Sequence, residues 1–181
     1  MGKKMENINS VSREFIEKQK MFFVGTAGID SKINVSPKGM DTLRVLSENR
    51  LIWLNLTGSG NETAAHLLEN DRITIMFCAF EGAPLILRVY GRAKVIHKTD
   101  SAWDELYQHF PDIAGARQII DIEVELVQHS CGFAVPLYDF QGERSTLKEW
   151  AQKKGEEGIK AYQKEKNNLS LDGKPTGLPG V

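Results

Sequence analysis

The sequence predicts a mainly β protein, an antiparallel barrel of about six strands with helices at its periphery. Three observations lead there. Apolar residues recur in alternation or in short continuous runs at 21–27, 32–37, 50–56, 71–80, 85–97 and from 117 onward, the patterns that bury one or both faces of a strand. Apart from residues 62–70, the connections are turns too short for right-handed parallel crossovers, so neighbouring strands run antiparallel. The length of 181 residues, 41% of them hydrophobic, suits one core with a small appendage.

Taken in order, residues 12–20 (SREFIEKQK) form a short amphipathic helix, with Ser10 or Ser12 as cap and Phe15 and Ile16 among charges. The apolar run MFFVGTA, 21–27, is a strand. GIDSK is turn chemistry, and KINVSP, 32–37, returns as the second arm of a hairpin that Pro37 terminates. Residues 40–49 (MDTLRVLSEN) are ambiguous, with a connecting turn as one reading. RLIWLNL, 50–56, is an apolar strand running into the Gly-rich loop TGSGN, and ETAAHLLEN, 62–70, is a helix of about two turns that Asn61 can cap.

Residues 71–80 alternate as a strand covered on both faces. In 85–97, Leu85, Leu87, Val89, Gly91, Ala93 and Val95 share an apolar face, and Arg88, Tyr90, Arg92 and Lys94 a polar one. Residues 100–110 have helical spacing of Trp103, Leu106, Tyr107 and Phe110, stopped by Pro111. The segment from Arg117 alternates through Ile120, Ile122, Val124 and Leu126 as another long strand. From Gln141 the composition turns charged and helical, broken at Gly155 and Gly158, and ends in a Gly/Pro-rich tail. The organisation expected is a barrel domain over 1–140 and a helical extension with tail over 141–181.

Charge excludes some partners. With 23 Lys+Arg against 24 Asp+Glu and a formal net charge of −1, nothing draws the chain generally to nucleic acid or to anionic lipid. No apolar run approaches the roughly 20 residues that cross a bilayer, and MGKKMENINS lacks a signal-peptide core, so a cytoplasmic protein without membrane association is expected. Cys78 and Cys131 form no CxxC pair and read as thiols. The histidines 66, 97, 109 and 129 are scattered, and His129 with Cys131 lacks a third ligand, so no metal site is expected.

Two stretches suit an anion. In Leu54–Thr63 a strand passes through Gly58 and Gly60 into a helix start, where backbone N–H groups and the positive end of the helix dipole favour phosphate. An ordinary strand-to-helix turn is the other reading of this stretch. It also mimics part of a dinucleotide fingerprint: Gly58 and Gly60 fill two positions, Thr63 stands at the third, and Glu81 lies at the distance of a ribose-binding acid. The second stretch is Asn34, Ser36 and Lys38, where alternation presents an amide, a hydroxyl and a cation around Pro37. Arg88 and Arg92 either complete an anion site or line the surface.

The succession FFVGTAGIDSKINVSPKG, LIWLNLTGSGNETAAHLLENDRITIMF and EGAPLILRVYGRAKV resembles the pyridoxamine 5′-phosphate oxidase-like flavoproteins, the FMN-binding split β-barrel family, over roughly residues 10–135. The resemblance implies a six-stranded split barrel that forms a homodimer, with FMN in clefts between the subunits. It places the flavin phosphate and ribityl chain against Asn34, Ser36, Pro37 and Lys38, and against Asn55, Gly60, Asn61, Glu62 and Thr63, with Arg88 on a strand that faces the flavin. The classical oxidases carry a basic pair at the helix start, where this chain has Asn61-Glu62-Thr63. That shifts the load to backbone N–H groups, the Thr63 hydroxyl and Lys38. The classical Arg-Leu-x-Pro ending is absent, so pyridoxamine phosphate oxidation itself is not expected. SCGFAVPL and the charged segment after it resemble a less characterised branch, in which the tail packs on the barrel or on the partner subunit.

The function implied is two-electron transfer between bound FMN and a small-molecule substrate. The alternatives are a non-catalytic module holding flavin or haem, FAD or a deazaflavin in place of FMN, and an NAD-binding enzyme built on Gly58 and Gly60.

Overall fold

A computed structural model describes residues 2–180. In chain order the elements are β1 (Lys3–Met5), α1 (Ser10–Lys18), β2 (Phe22–Thr26), β3 (Asn34–Lys38), β4 (Leu43–Ser47), β5 (Arg50–Leu56), α2 (Glu62–Glu69), β6 (Arg72–Cys78), β7 (Ile86–His97), α3 (Trp103–Tyr107), β8 (Ala116–Ser130) and α4 (Thr146–Lys166). The strands form one eight-stranded sheet in the order β3-β2-β6-β7-β8-β5-β4, with β1 added along β8. Every pairing of these strands is antiparallel. The antiparallel barrel expected from the sequence is therefore present, with two strands more than the expected six.

The two free edges of the sheet, β3 and β4, are consecutive in the chain. Met40 and Asp41 turn it sharply between them, both in the left-handed region (φ 63° and 55°). β7 and β8 are the spine, at 12 and 15 residues. Their ladder shifts register between Tyr90 and Gly91, where Glu125 is the extra residue on β8. At that bulge a Cβ on Gly91 would lie 2.0 Å from the Glu123 carbonyl oxygen, so only glycine lets the strands approach this closely.

The curled sheet encloses a core that includes Phe22, Val24, Leu51, Trp53, Ile75, Phe77, Val89, Ile120 and Ile122, with Ile16 of α1 packed into it. A second cluster on the opposite face joins Ile52, Leu54 and Ile119 to Trp103, Leu106 and Phe110 around α3. β5 is thus apolar on both faces because each face meets a core.

Several expectations are corrected. Residues 40–49 are not simply a connection, since β4 runs Leu43–Ser47 against β5. Pro37 does not end its strand; it lies opposite Phe23 inside β3, an edge strand that tolerates a residue lacking N–H. The cap of α1 is Asn9, whose Oδ1 accepts the Ser12 N–H at 2.8 Å. α3 is shorter than its spacing suggests, and α4 breaks only at Gly155 (φ 65°, ψ 175°), not at Gly158. The dinucleotide frame is absent: α2 joins β5 to β6, which are not neighbours, and no described strand pair is parallel.

Candidate functional site

A cleft of about 610 Å³ lies between edge strand β3 and β5, within the roughly 300–1,000 Å³ of cofactor-sized pockets. Asn34, Ser36 and Lys38 supply one wall. They face inward because they stand opposite Thr26, Val24 and Phe22, all buried. Val35 and Pro37 alternate to the exposed outer face. Trp53, Asn55 and Leu56 of β5, the loop Gly58–Gly60 and the α2 start at Asn61, Glu62 and Thr63 supply the opposite wall. Asn34 Nδ2 donates to Thr63 Oγ1 at 3.4 Å, tying β3 to α2. Lys166, Leu169, Ser170 and Leu171 of the C-terminal segment close a third side.

Arg117 was not among the sequence-derived candidates, and it is the most informative residue of the cleft. β8 shifts register against β5 so that Asn55 pairs with Gln118 and Leu56 with Ala116, leaving Arg117 as the extra residue of a bulge. A bulge re-aims a side chain, and here it turns a guanidinium only 4% exposed into the cleft. Its Nη1 donates to the Gly60 carbonyl at 3.1 Å and to Asn167 Oδ1 at 2.6 Å, and its Nε has no partner. The one signal in the sequence is an arginine, followed by Gln118, at the head of a strand that turns apolar at Ile119 and Ile120.

Electrostatically the site has a surplus of positive charge. Burial lowers the Lys38 ammonium to about 8, with the nearby charge of Arg117 pushing the same way. Burial likewise brings Arg117 to about 9, so both remain cationic at neutral pH. Among the described residues, no carboxylate acts on Lys38 or on Arg117. Lys38 Nζ instead sits 5.1 Å from the centre of the Trp53 ring.

Hydrogen bonding shows the same surplus of donors. Asn61 occupies the N-cap position of α2 but makes no side-chain cap, contrary to expectation. Its Oδ1 accepts from Asn55 Nδ2 at 3.3 Å, which also lies 3.4 Å from Gln118 Oε1. Asn61 Nδ2 and Gln118 Nε2 are buried without partners. The first turn of α2 therefore keeps its backbone N–H groups free of a side-chain acceptor. Two unpaired cations, orphaned amide donors and a helix start describe a place for an anionic group rich in acceptor oxygens.

Arg88 is not part of this cleft. It lies in the outward row Pro37–Phe23–Met76–Arg88–Gln128 across the sheet, and its Nη1 donates to Ser130 Oγ at 2.9 Å. Arg92 is a surface residue paired with Asp71 and Glu125. Glu81 accepts the Phe140 N–H at 3.2 Å on the exposed β6–β7 turn.

An antiparallel sheet split between its two edges, with a cationic, donor-rich cleft beside the split, defines the class of protein. The chain belongs to the pyridoxamine 5′-phosphate oxidase family, whose model matches residues 8–131. It is 34% identical over 196 residues to the pyridoxamine 5′-phosphate oxidase family protein ustO of Aspergillus flavus, covering 97% of this chain and 76% of that one. The same fold occurs in HupZ of Group A Streptococcus, at 20% identity and TM-score 0.52 over 66% of this chain and 91% of that chain. It occurs also in a putative pyridoxamine 5′-phosphate oxidase of Lactobacillus delbrueckii, at 16% identity and TM-score 0.54 over 68% and 94%. Among the described residues, no helix is long and apolar enough to cross a membrane.

Proposed function

We propose that this chain binds FMN by its phosphate in the cleft between β3 and β5 and serves as an FMN-dependent oxidoreductase acting on a small molecule. The observation that carries the reading is the convergence of Lys38 and Arg117 on one cleft with no carboxylate among the described residues to neutralise them. A phosphate supplies the missing charge and the acceptors for Arg117 Nε and Asn61 Nδ2. Family membership supports the choice of a phosphorylated cofactor.

Bound flavin supplies the acceptor and donor of two electrons, so the chain need only bind, orient and shield it. Lys38 and Arg117 hold the phosphate, with the N–H groups of Glu62 and Thr63. Asn34 and Ser36 offer hydrogen-bonding groups along β3, and Trp53 closes the floor beneath the Lys38 ammonium.

The reading includes a homodimer. The outer face of β3-β2-β6-β7 carries the half-buried Phe23, Met76 and Tyr90 and the exposed Val35, a surface suited to a second copy. In that dimer Arg88 belongs to the subunit interface rather than to its own chain's cleft. Light scattering should report twice the mass of one chain; a monomer would remove the interface from the reading.

Titration with FMN and with riboflavin tests the assignment. FMN should bind at least tenfold more tightly, since only it presents the phosphate; equal affinities would overturn the site. Steady-state consumption of NAD(P)H or oxygen by the loaded protein then separates an oxidoreductase from a module that only holds flavin.

The affinity should also depend on pH with a defined sign. A phosphate monoester is a dianion above about pH 6, and Lys38 is cationic below about 8. Binding is therefore strongest between these values. It weakens as pH rises past 8, by up to about tenfold per unit, because the complex must then take up a proton at Lys38. Equal dissociation constants at pH 7 and pH 9.5 would exclude its ammonium from the site.

A further inference from the structure

We infer that the C-terminal segment is a working part of the phosphate site: Asn167 positions Arg117, so docking of residues 166–176 and occupancy of the phosphate position strengthen one another. This inference rests on the phosphate reading of the cleft.

Asn167 is fully buried at the end of α4 and touches three parts of the molecule at once. Its Oδ1 accepts from Arg117 Nη1 at 2.6 Å, and its Nδ2 donates to the Gly58 carbonyl at 3.0 Å. Its own carbonyl accepts the Thr176 hydroxyl at 2.6 Å, holding the tail where it folds back. One turn earlier, Gln163 Nε2 donates to Thr57 Oγ1 at 2.7 Å, fixing α4 to the same glycine loop. A long, buried guanidinium has few ways to stay aimed, and here it has one backbone acceptor and one side-chain acceptor. The side-chain acceptor comes from the tail.

The tail also controls Glu62, the one acid among the described residues of the cleft wall. Both oxygens of Glu62 lie 3.1 Å from the Leu171 N–H, so the carboxylate is engaged by tail backbone. Without the tail, this carboxylate loses the N–H that holds it and stands free in the wall of the phosphate cleft. Ion pairs strap this segment down: Lys32 to Asp172 at 2.6 Å, and Lys174 to Asp30 and to Glu69. The straps reach the β2–β3 turn and α2, the elements that form the cleft walls. Coupling of this kind is reciprocal, so whatever the docked tail adds to phosphate binding, phosphate adds to docking.

The test uses the full chain with FMN and riboflavin as probes, and amide hydrogen exchange over residues 163–176 as a second readout. In the native protein, FMN should slow exchange in this segment about tenfold and riboflavin should not. Asn167→Ala should weaken FMN binding about tenfold, leave riboflavin binding unchanged and abolish the protection. Asn167→Asp keeps the size and the contact to Arg117, though not the donation to Gly58, and neutralises Arg117; it should lose FMN affinity while the Thr176 and ion-pair anchors keep its tail ordered. If native protein does not prefer FMN to riboflavin, the phosphate reading itself fails. If it prefers FMN but the tail exchanges equally with and without it, or Asn167→Ala binds FMN as native does, the reading stands and this inference is overturned.

Discussion

Replacing Lys38 by methionine is expected to weaken FMN binding by about 10- to 150-fold and, in the same protein without flavin, to raise the midpoint of thermal unfolding. The loss follows from removing a charged hydrogen bond to phosphate, roughly 1.5–3 kcal/mol. The gain follows from the state of Lys38 when no anion is present. Its ammonium is held near 8, below the ordinary 10.5 of lysine, because burial strips its water and Arg117 repels it. A lysine whose value is depressed on folding costs stability wherever it is still charged in the folded protein, below about pH 8, and the cost fades as pH rises toward 10.5. Methionine can lie over Trp53, where the lysine ammonium sits, and needs no hydration. The advantage should therefore be clear at pH 7 and much smaller at pH 10, with each kcal/mol relieved moving the midpoint by about 2–4 °C. Unfolding curves at the two pH values and an FMN titration decide the matter. A lower midpoint at pH 7 together with undiminished affinity would mean that Lys38 is structural. Opposite signs for binding and stability are what a preorganised anion site produces.

The largest effect on folding is expected at Gly91. Alanine there places its Cβ 2.0 Å from the Glu123 carbonyl oxygen and 3.0 Å from the carbonyl carbon, both backbone atoms of the bulge in the β7–β8 ladder. Neither can yield without parting the two longest strands, so Gly91→Ala should cost more than about 4 kcal/mol and leave little folded protein. Gly25→Ala is the control. Its Cβ would meet only Thr74, at 3.8 Å, and should change urea stability by less than about 1 kcal/mol. Similar stabilities for the two variants would contradict the bulge.

Much of the architecture was legible because it rests on short-range periodicity. The strand expected at 50–56 is β5, Arg50–Leu56, and the helix expected at 62–70 is α2, Glu62–Glu69. Both carry strong local patterns that their tertiary surroundings reinforce. Residues 43–47 have weaker alternation, and their strand state comes from pairing with β5. Residues 3–5 are charged and sulfur-bearing, and become β1 only because the end of β8 offers partners at Val127–His129. Pro37 misled for a related reason: a proline ends a strand only where both sides are paired, and being an edge is a property of the whole sheet.

The site divides in the same way. Asn34, Ser36 and Lys38 alternate along one strand and Asn61–Thr63 start one helix, so their grouping within each element was visible in the chain. That the two groups face one cleft, with Asn55 between them, depends on the curl of the sheet. Arg88 lies on the face of the sheet away from its own chain's cleft, which the sequence could not show, because alternation tells that residues share a side but not which side is inward. Arg117 carried only the faint mark of an arginine heading a strand: it is a bulged residue, and bulges arise from the register of β5 against β8, far apart in the chain.

Periodicity and turn chemistry, properties of a few neighbouring residues, thus sufficed for the antiparallel class and for two of the three walls of the cleft. The third wall, the aim of Arg117 and the surplus positive charge of the cleft came only with folding. Each is a sum over groups distant in sequence, and burial and the absence of a neutralising partner have no meaning until those groups are packed together.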